Sequence, residues 1–112
     1  MPKRARRVIW TQVADDDLDE ILTFIATDSP LSARKLLARL RRKADSLATM
    51  AERGRVVPEL AFFGIRTWRE LLVKPYRLVY RMSADDTVYI SAVFDGRRDL
   101  QDVLLERLIR TG

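Results

Sequence analysis

The chain of 112 residues carries a net charge of +5 and contains neither cysteine nor histidine. Without cysteine it can form no disulfide framework and no thiolate metal site or nucleophile, and its length suits one domain over residues 1–112. A sequence pI of about 10.1 favours an anionic partner such as a nucleic acid, the ribosome or an acidic protein. No apolar run approaches the roughly 20 residues that cross a bilayer, so we expect a cytoplasmic protein that does not enter a membrane. We also expect neither a metal nor a cofactor.

The first predicted elements are a short strand and a helical hairpin. "RRVIW" is a strand candidate, and Thr11 can cap a helix whose apolar residues recur at helical spacing. The acids of its "ADDDLDE" stretch are interpreted as a solvated face. Ser29 and Pro30 predict the start of a second helix, and Gly54 is placed as its C-terminal stop. The short connection between the two helices predicts that they run antiparallel.

Beyond the loop "GRVVPELAFFGI" the periodicity changes from helical to alternating. "RTWRELLV", "YRLVYRM" and "TVYISAVF" predict three strands joined by short turns at "KP" and "SADD". Asp99 is placed to cap a last helix at the C-terminus. The predicted fold class is α+β, in which an N-terminal strand and a helical hairpin pack on an antiparallel β-meander, with a C-terminal helix.

The alternation in "YRLVYRM" predicts a core side and a basic side of the sheet. Leu78 and Tyr80 fall on the side expected to face the hairpin, whereas Arg77 and Arg81 fall on the other side. Neighbouring strands can add Arg69 or Arg66 to the basic side, depending on the register, which the sequence leaves open. This side is either a groove for a partner or the ordinary wet face of an antiparallel sheet.

Two adjacent arginines, Arg97 and Arg98, follow the last predicted strand in "GRRDL". In extended backbone they point to opposite sides, so they cannot share one role. We expect Arg97 to join Arg77 in one groove, where replacement of either by alanine changes thermal stability very little. The alternative is that Arg97 and Arg98 are a solvated joint between a strand and a helix.

Several stretches, taken in order, resemble the RelE/ParE superfamily of bacterial type II toxins. They are "VIWTQVADDDLDEI", "DSPLSARKLLARL", "GRVVPEL", "WRELLVKPYRLVYR" and "AVFDGRRDLQDVL", and together they cover nearly the whole chain. The resemblance implies a toxin of the kind associated with plasmid stabilisation, which a cognate antitoxin with an acidic or partly disordered segment neutralises. It also implies assembly either as a homodimer or as a heterotetramer with the antitoxin.

Two activities within this superfamily imply different residues. The ParE branch poisons DNA gyrase, whereas the RelE branch cleaves mRNA on the ribosome. The resemblance to the nuclease branch implies two arginines, which Arg77 and Arg97 match, but its tyrosine position falls at about Val103 or Leu104. RNA cleavage also needs a general base, and arginine cannot be one because its guanidinium stays protonated in proteins.

A gyrase-inhibiting toxin is therefore the favoured function, and a ribosome-dependent mRNA endoribonuclease is the alternative. For the enzyme, Tyr89, Asp95 and Glu70 are the remaining candidates for an acid or base, and the sequence assigns no catalytic residue. The candidate residues for binding the antitoxin or the target are Arg69, Arg77, Arg81, Arg97 and Arg98.

Overall fold

The computed structural model describes residues 5–97 and Arg107. Its elements in chain order are β1 (Arg7–Trp10), α1 (Gln12–Asp28), α2 (Pro30–Ser46), β2 (Arg55–Val56), α3 (Pro58–Ala61), β3 (Trp68–Val73), β4 (Tyr76–Met82) and β5 (Thr87–Asp95). The strands form a mixed sheet in the order β1-β5-β4-β3-β2, in which β1 runs parallel to β5 and the other pairs are antiparallel. The predicted α+β fold is confirmed, while Asp99, the predicted cap of the last helix, lies outside the described residues.

Both long helices begin at the predicted caps. The Thr11 hydroxyl accepts from the amide of Ala14 at 3.2 Å, and the Ser29 hydroxyl accepts from the amide of Ser32 at 3.1 Å. Pro30 lies in the first turn of α2, where its missing amide costs nothing. Neither these helices nor α3 is long and apolar enough to cross a membrane, within the part of the chain that the structure describes.

The predicted role of Gly54 as the stop of the second helix was wrong. α2 ends at Ser46, whose hydroxyl donates to the Lys43 carbonyl at 2.6 Å, and turns then lead to Gly54. Gly54 is buried, and its amide donates to the Tyr80 hydroxyl at 3.0 Å. A Cβ at this position would come within 2.5 Å of that hydroxyl and 2.7 Å of the Glu70 carbonyl. Close approach of the backbone to β3 and β4, rather than helix termination, requires this glycine.

The main core lies between the helical hairpin and one face of the sheet. Leu40 and Leu47 pack there against Leu78, Tyr80 and Ile90, and all five are fully buried. Leu78 and Tyr80 therefore face the hairpin, as the alternation predicted.

The opposite face of the sheet carries a second apolar cluster, which the sequence did not predict. Leu60 of α3 and Val57 before it cover Trp68, Val79 and Phe94. The segment containing α3 was expected to be a loop. Because its apolar residues bury part of this face, the face that carries Arg77 and Arg81 is not an open, wet surface.

A β-bulge positions the end of β5. Val79 pairs with Ala92 but Tyr80 pairs with Ile90, so Ser91 is the extra residue. The bulge allows Ile90 and Val93, three residues apart, both to face the main core.

Candidate functional site

An ion-pair network at Arg77 occupies the sheet face opposite the hairpin. The Arg77 Nε donates to Glu70 Oε1 at 2.7 Å, and its Nη2 donates to Glu59 Oε1 at 2.6 Å. Glu70 also accepts from Arg55 Nε at 2.7 Å. The register explains the set, because Glu70 lies directly opposite Arg55 on β2 and opposite Val79, one diagonal step from Arg77, on β4.

Both members of the central pair are buried. Arg77 is 8% exposed and Glu70 is 1% exposed. The hydrogen bonds from Arg77 hold the pKa of Glu59 below its usual range, and the contacts with Glu59 and then Glu70 raise the pKa of Arg77 against the effect of burial. The burial of Arg77 and its contacts with two carboxylates argue against the expectation that it contributes little to stability, because removing it would leave both carboxylates without this partner.

Arg81 lies on the same face as Arg77 but in aromatic surroundings. Its Cζ is 5.8 Å from the centroid of the Trp68 ring and 5.0 Å from that of Tyr89. These rings come from the directly opposite positions on β3 and β5. Arg81 is half-buried and forms no ion pair with the described residues. It presents a cation held between two ring faces.

Arg69 does not share this face. It lies opposite Tyr80, on the hairpin side of β3, and its Nη1 donates to the Gly54 carbonyl at 2.8 Å. Arg69 therefore ties the turn after α2 to the sheet.

Arg97 lies apart from Arg77. Its Nη2 donates to Asp95 Oδ2 at 2.6 Å, and its side chain is 74% exposed. Arg97 lines a cavity of about 520 Å³ with Phe24 of α1, whereas Arg77 turns toward α3. The expectation of one groove containing both arginines was wrong, and Arg98 lies outside the described residues.

Gly96, in "GRRDL", supports Arg77. Its amide donates to the Pro75 carbonyl at 2.7 Å, and a Cβ here would lie 3.1 Å from both Cγ and Cδ of Arg77. The glycine thus leaves room for the aliphatic stem of the buried arginine.

Asp17 and Arg107 form a second, partly buried ion pair that sequence analysis missed. Asp17 Oδ2 accepts from the amide of Val93 at 3.1 Å, and Oδ1 accepts from Arg107 Nη2 at 2.6 Å. Burial raises the pKa of Asp17, although the Arg107 hydrogen bond opposes this shift. Only its position between Ala14 and Leu18 on the apolar stripe distinguished Asp17 from its solvated acidic neighbours.

The candidate acids and bases do not come together. Glu70 is held by arginines on the α3 side of the sheet, and Asp95 is paired with Arg97 near α1. Tyr89 stacks on Arg81, and the buried hydroxyl of Tyr80 donates to the Ala51 carbonyl at 2.7 Å. Across residues 5–97 and Arg107, no three acidic residues are grouped so that they could hold a metal ion.

The fold and the matched sequence place the chain among the toxins of type II toxin–antitoxin systems. Residues 8–100 match the family described as the ParE toxin of the type II parDE system. The chain belongs to this family, which confirms the resemblance drawn from its sequence.

Two curated relatives match this chain over nearly their full lengths. Toxin RelE2 from Caulobacter vibrioides is 39% identical over 92 residues, covering 82% of this chain and 97% of that protein. Protein Y4kP from Sinorhizobium fredii is 35% identical over 101 residues, covering 88% of this chain and 97% of that protein. The two family names, ParE and RelE, thus both occur among its matches.

Two solved structures share the fold. A chain of the chromosomal ParDE toxin–antitoxin system from P. aeruginosa has a TM-score of 0.66 at 20% identity, covering 83% of this chain and 98% of that chain. A chain of the toxin–antitoxin complex RelBE2 from Mycobacterium tuberculosis has a TM-score of 0.55 at 23% identity, covering 81% and 91%. At these identities the likeness establishes the fold.

Proposed function

We propose that this toxin stops growth by binding and poisoning DNA gyrase, and that a cognate antitoxin neutralises it. The observation that carries the proposal is the state of Arg77, the arginine that the resemblance assigns to the nuclease site. Its guanidinium is already bound to Glu59 and Glu70. A cation engaged by two carboxylates is poorly suited to neutralise the phosphate of a scissile RNA bond.

The acid–base inventory supports the same choice. The chain has no histidine. The candidate carboxylates Glu70 and Asp95 are already hydrogen-bonded to Arg77 and Arg97, respectively. Cleavage through the 2′-hydroxyl gains about 10² to 10⁴-fold from each positioned acid or base. Inhibition by binding needs no such groups, and the match to the ParE family favours it.

A ribosome-dependent mRNA endoribonuclease is the second candidate. The name of the 39% identical relative, Toxin RelE2, favours it. So does Arg81 beside the half-buried ring of Tyr89, because an accessible aromatic ring beside a cation can stack a base. This candidate would use Arg81, rather than Arg77, as its principal cation.

The antitoxin is proposed from two kinds of support. Both structural neighbours are components of toxin–antitoxin systems, and a net charge of +5 suits an acidic partner. The partners would assemble as a heterotetramer, or the toxin alone as a homodimer, with residues 1–112 acting as one domain. A module of this kind would serve plasmid stabilisation.

Controlled expression in a bacterial host tests the target. Induction should arrest growth, plasmid DNA from the arrested cells should lose negative supercoiling, and ribosome-bound messages should remain intact. Co-expression of the antitoxin is the control and should restore both growth and supercoiling. Cleaved ribosome-bound messages with normal supercoiling would favour the nuclease, and unimpaired growth would contradict toxicity.

A further inference from the structure

A basic cavity of about 630 Å³ lies between α2, the segment that follows it and the turn that joins β3 to β4. Among the described residues that line it there is no carboxylate and no aromatic ring, and its cations form no ion pair with any described residue. A concave surface whose charges all have one sign attracts an anionic partner. The cations that line it are Arg39, Arg42, Lys43, Arg53 and Lys74.

The backbone and one side-chain contact hold these cations in place. Arg39, Arg42 and Lys43 lie three and four positions apart on α2, so they share one face of the helix. Arg53, from the segment after α2, donates from its Nη1 to the Ser46 hydroxyl at 2.9 Å. That hydroxyl in turn donates to the Lys43 carbonyl at 2.6 Å, which fixes Arg53 relative to the helix.

A neighbouring cavity of about 360 Å³ on α2 provides a contrast. Arg41 lines it together with two carboxylates, those of Asp15 and Asp45. The charges on that side of α2 are therefore mixed, whereas those of the basic cavity are all positive.

We propose that the basic cavity binds the phosphate backbone of duplex DNA. Arginine suits this contact because its planar guanidinium can donate two parallel hydrogen bonds to one phosphate. Each strand of duplex DNA carries a phosphate about every 3.4 Å along the helix axis, and residues one turn apart on α2 are separated by about 6 Å. Neighbouring cations of α2 can therefore reach different phosphates. Such contacts position the protein on DNA without selecting a base sequence.

The lining favours a duplex over a single strand. Proteins that bind single-stranded nucleic acid stack its bases on aromatic side chains, and no aromatic residue is present in the described lining. The choice of DNA as the duplex rests on the proposed function, because gyrase acts on duplex DNA. A contact with that DNA would add to the contact with the enzyme itself.

Fluorescence anisotropy of a labelled DNA duplex of random sequence, titrated with purified toxin at several salt concentrations, measures the contact. The logarithm of the affinity should fall linearly with the logarithm of the salt concentration, with a slope of about −3 if about three phosphates are neutralised. Arg42→Ala should weaken binding about threefold to fivefold and bring the slope about one unit closer to zero. Arg42→Lys keeps the charge and should keep the slope.

Arg41→Ala is the matched control, because it removes the same charge from the next position of α2 but affects a different cavity. It should bind DNA like the parent protein. Both positions are exposed, and alanine favours a helix, so the two variants should keep the fold.

Unlabelled duplex DNA should displace the labelled duplex better than polyglutamate does at equal charge. A slope unchanged by Arg42→Ala, or equal effects of Arg41→Ala and Arg42→Ala, would overturn the proposal. So would equal displacement by polyglutamate, or tighter Arg42-dependent binding of duplex RNA than of duplex DNA.

The assay contains no gyrase, so the two proposals fail separately. DNA binding that depends on Arg42, without inhibition of supercoiling, would contradict gyrase as the target and leave the DNA site in place. Inhibition of supercoiling without such DNA binding would contradict the DNA site alone.

Discussion

Arg77 Nε lies 2.7 Å from Glu70 Oε1, and the two side chains are buried together on the face of the sheet away from the helical hairpin. A buried arginine with its carboxylates is a structural unit, because removing one partner leaves the other charged and away from water. This buried contact distinguishes Arg77 from Arg97, the exposed arginine that was expected to share a groove with it.

Replacement of Arg77 by alanine should destabilise the fold strongly. Among the described residues, Glu70 would keep only Arg55 as an ion-pair partner, and we expect a loss of about 3 to 5 kcal/mol in the free energy of unfolding. Chemical denaturation measures this loss. Arg81→Ala is the matched control on the same strand, where no carboxylate is left unpaired, and it should lose much less. Equal losses for the two variants would contradict the assigned role of Arg77.

Replacement of Arg97 by alanine should have the opposite effects, with little loss of stability but a loss of binding or toxicity. Its pair with Asp95 is exposed and screened by water, so its loss should change the free energy of unfolding very little. We nevertheless expect weaker antitoxin binding or weaker toxicity, because the side chain lines an accessible cavity beside α1. Calorimetric titration with the antitoxin and a growth assay measure the two effects. If Arg97→Ala bound the antitoxin and stopped growth like the parent protein, Arg97 would be only a solvated residue at the end of β5.

Gly54→Ala should disturb the contact between the turn after α2 and the sheet. The new methyl group would overlap the Tyr80 hydroxyl and the Glu70 carbonyl, and such overpacking costs about 1 to 3 kcal/mol. Gly64→Ala provides the comparison, because a Cβ there meets open space but the backbone has a φ of +78°. Its cost should come from that conformation alone, about 1 to 2 kcal/mol. Thermal unfolding of both variants measures the difference, and a larger loss at Gly64 would contradict the close approach at Gly54.

Stability should depend on the ionisation of Glu59. Arg77 lowers the pKa of this carboxyl in the folded state, so its stabilising contribution is complete above the unfolded pKa and is lost as the pH falls through the lowered folded value. The difference in unfolding free energy between the parent and Glu59→Gln should therefore shrink in acid. Denaturation curves at several pH values measure it. The raised pKa of Asp17 acts with the opposite sign but is present in both proteins and cancels. A difference that stays constant with pH would contradict the pairing.

The local elements of the fold were predictable because their signals are local. Thr11, Ser29 and Pro30 mark helix starts through caps and a missing amide, and the alternation around Leu78 identifies the core side of β4. The stop of α2 was misplaced because Gly54 is needed for a contact with Tyr80, a residue 26 positions away.

The site was less predictable than the fold. Strand alternation correctly placed Arg77 and Arg81 on the face away from the hairpin, but it could not show that α3 brings Glu59 to Arg77. The register also placed Arg69 on the hairpin side, where it binds the Gly54 carbonyl. Both outcomes depend on long-range packing, which leaves no periodic signal in the sequence.

Supercoiling of relaxed plasmid DNA by purified gyrase is the most direct test of the proposed function. Added toxin should reduce the supercoiled product in a dose-dependent manner, and prior mixing with the antitoxin should restore it. Because the proposed mechanism is binding, the effect should require no ribosomes or mRNA. Full supercoiling at an excess of toxin, together with cleavage of ribosome-bound mRNA by the same preparation, would contradict gyrase as the target.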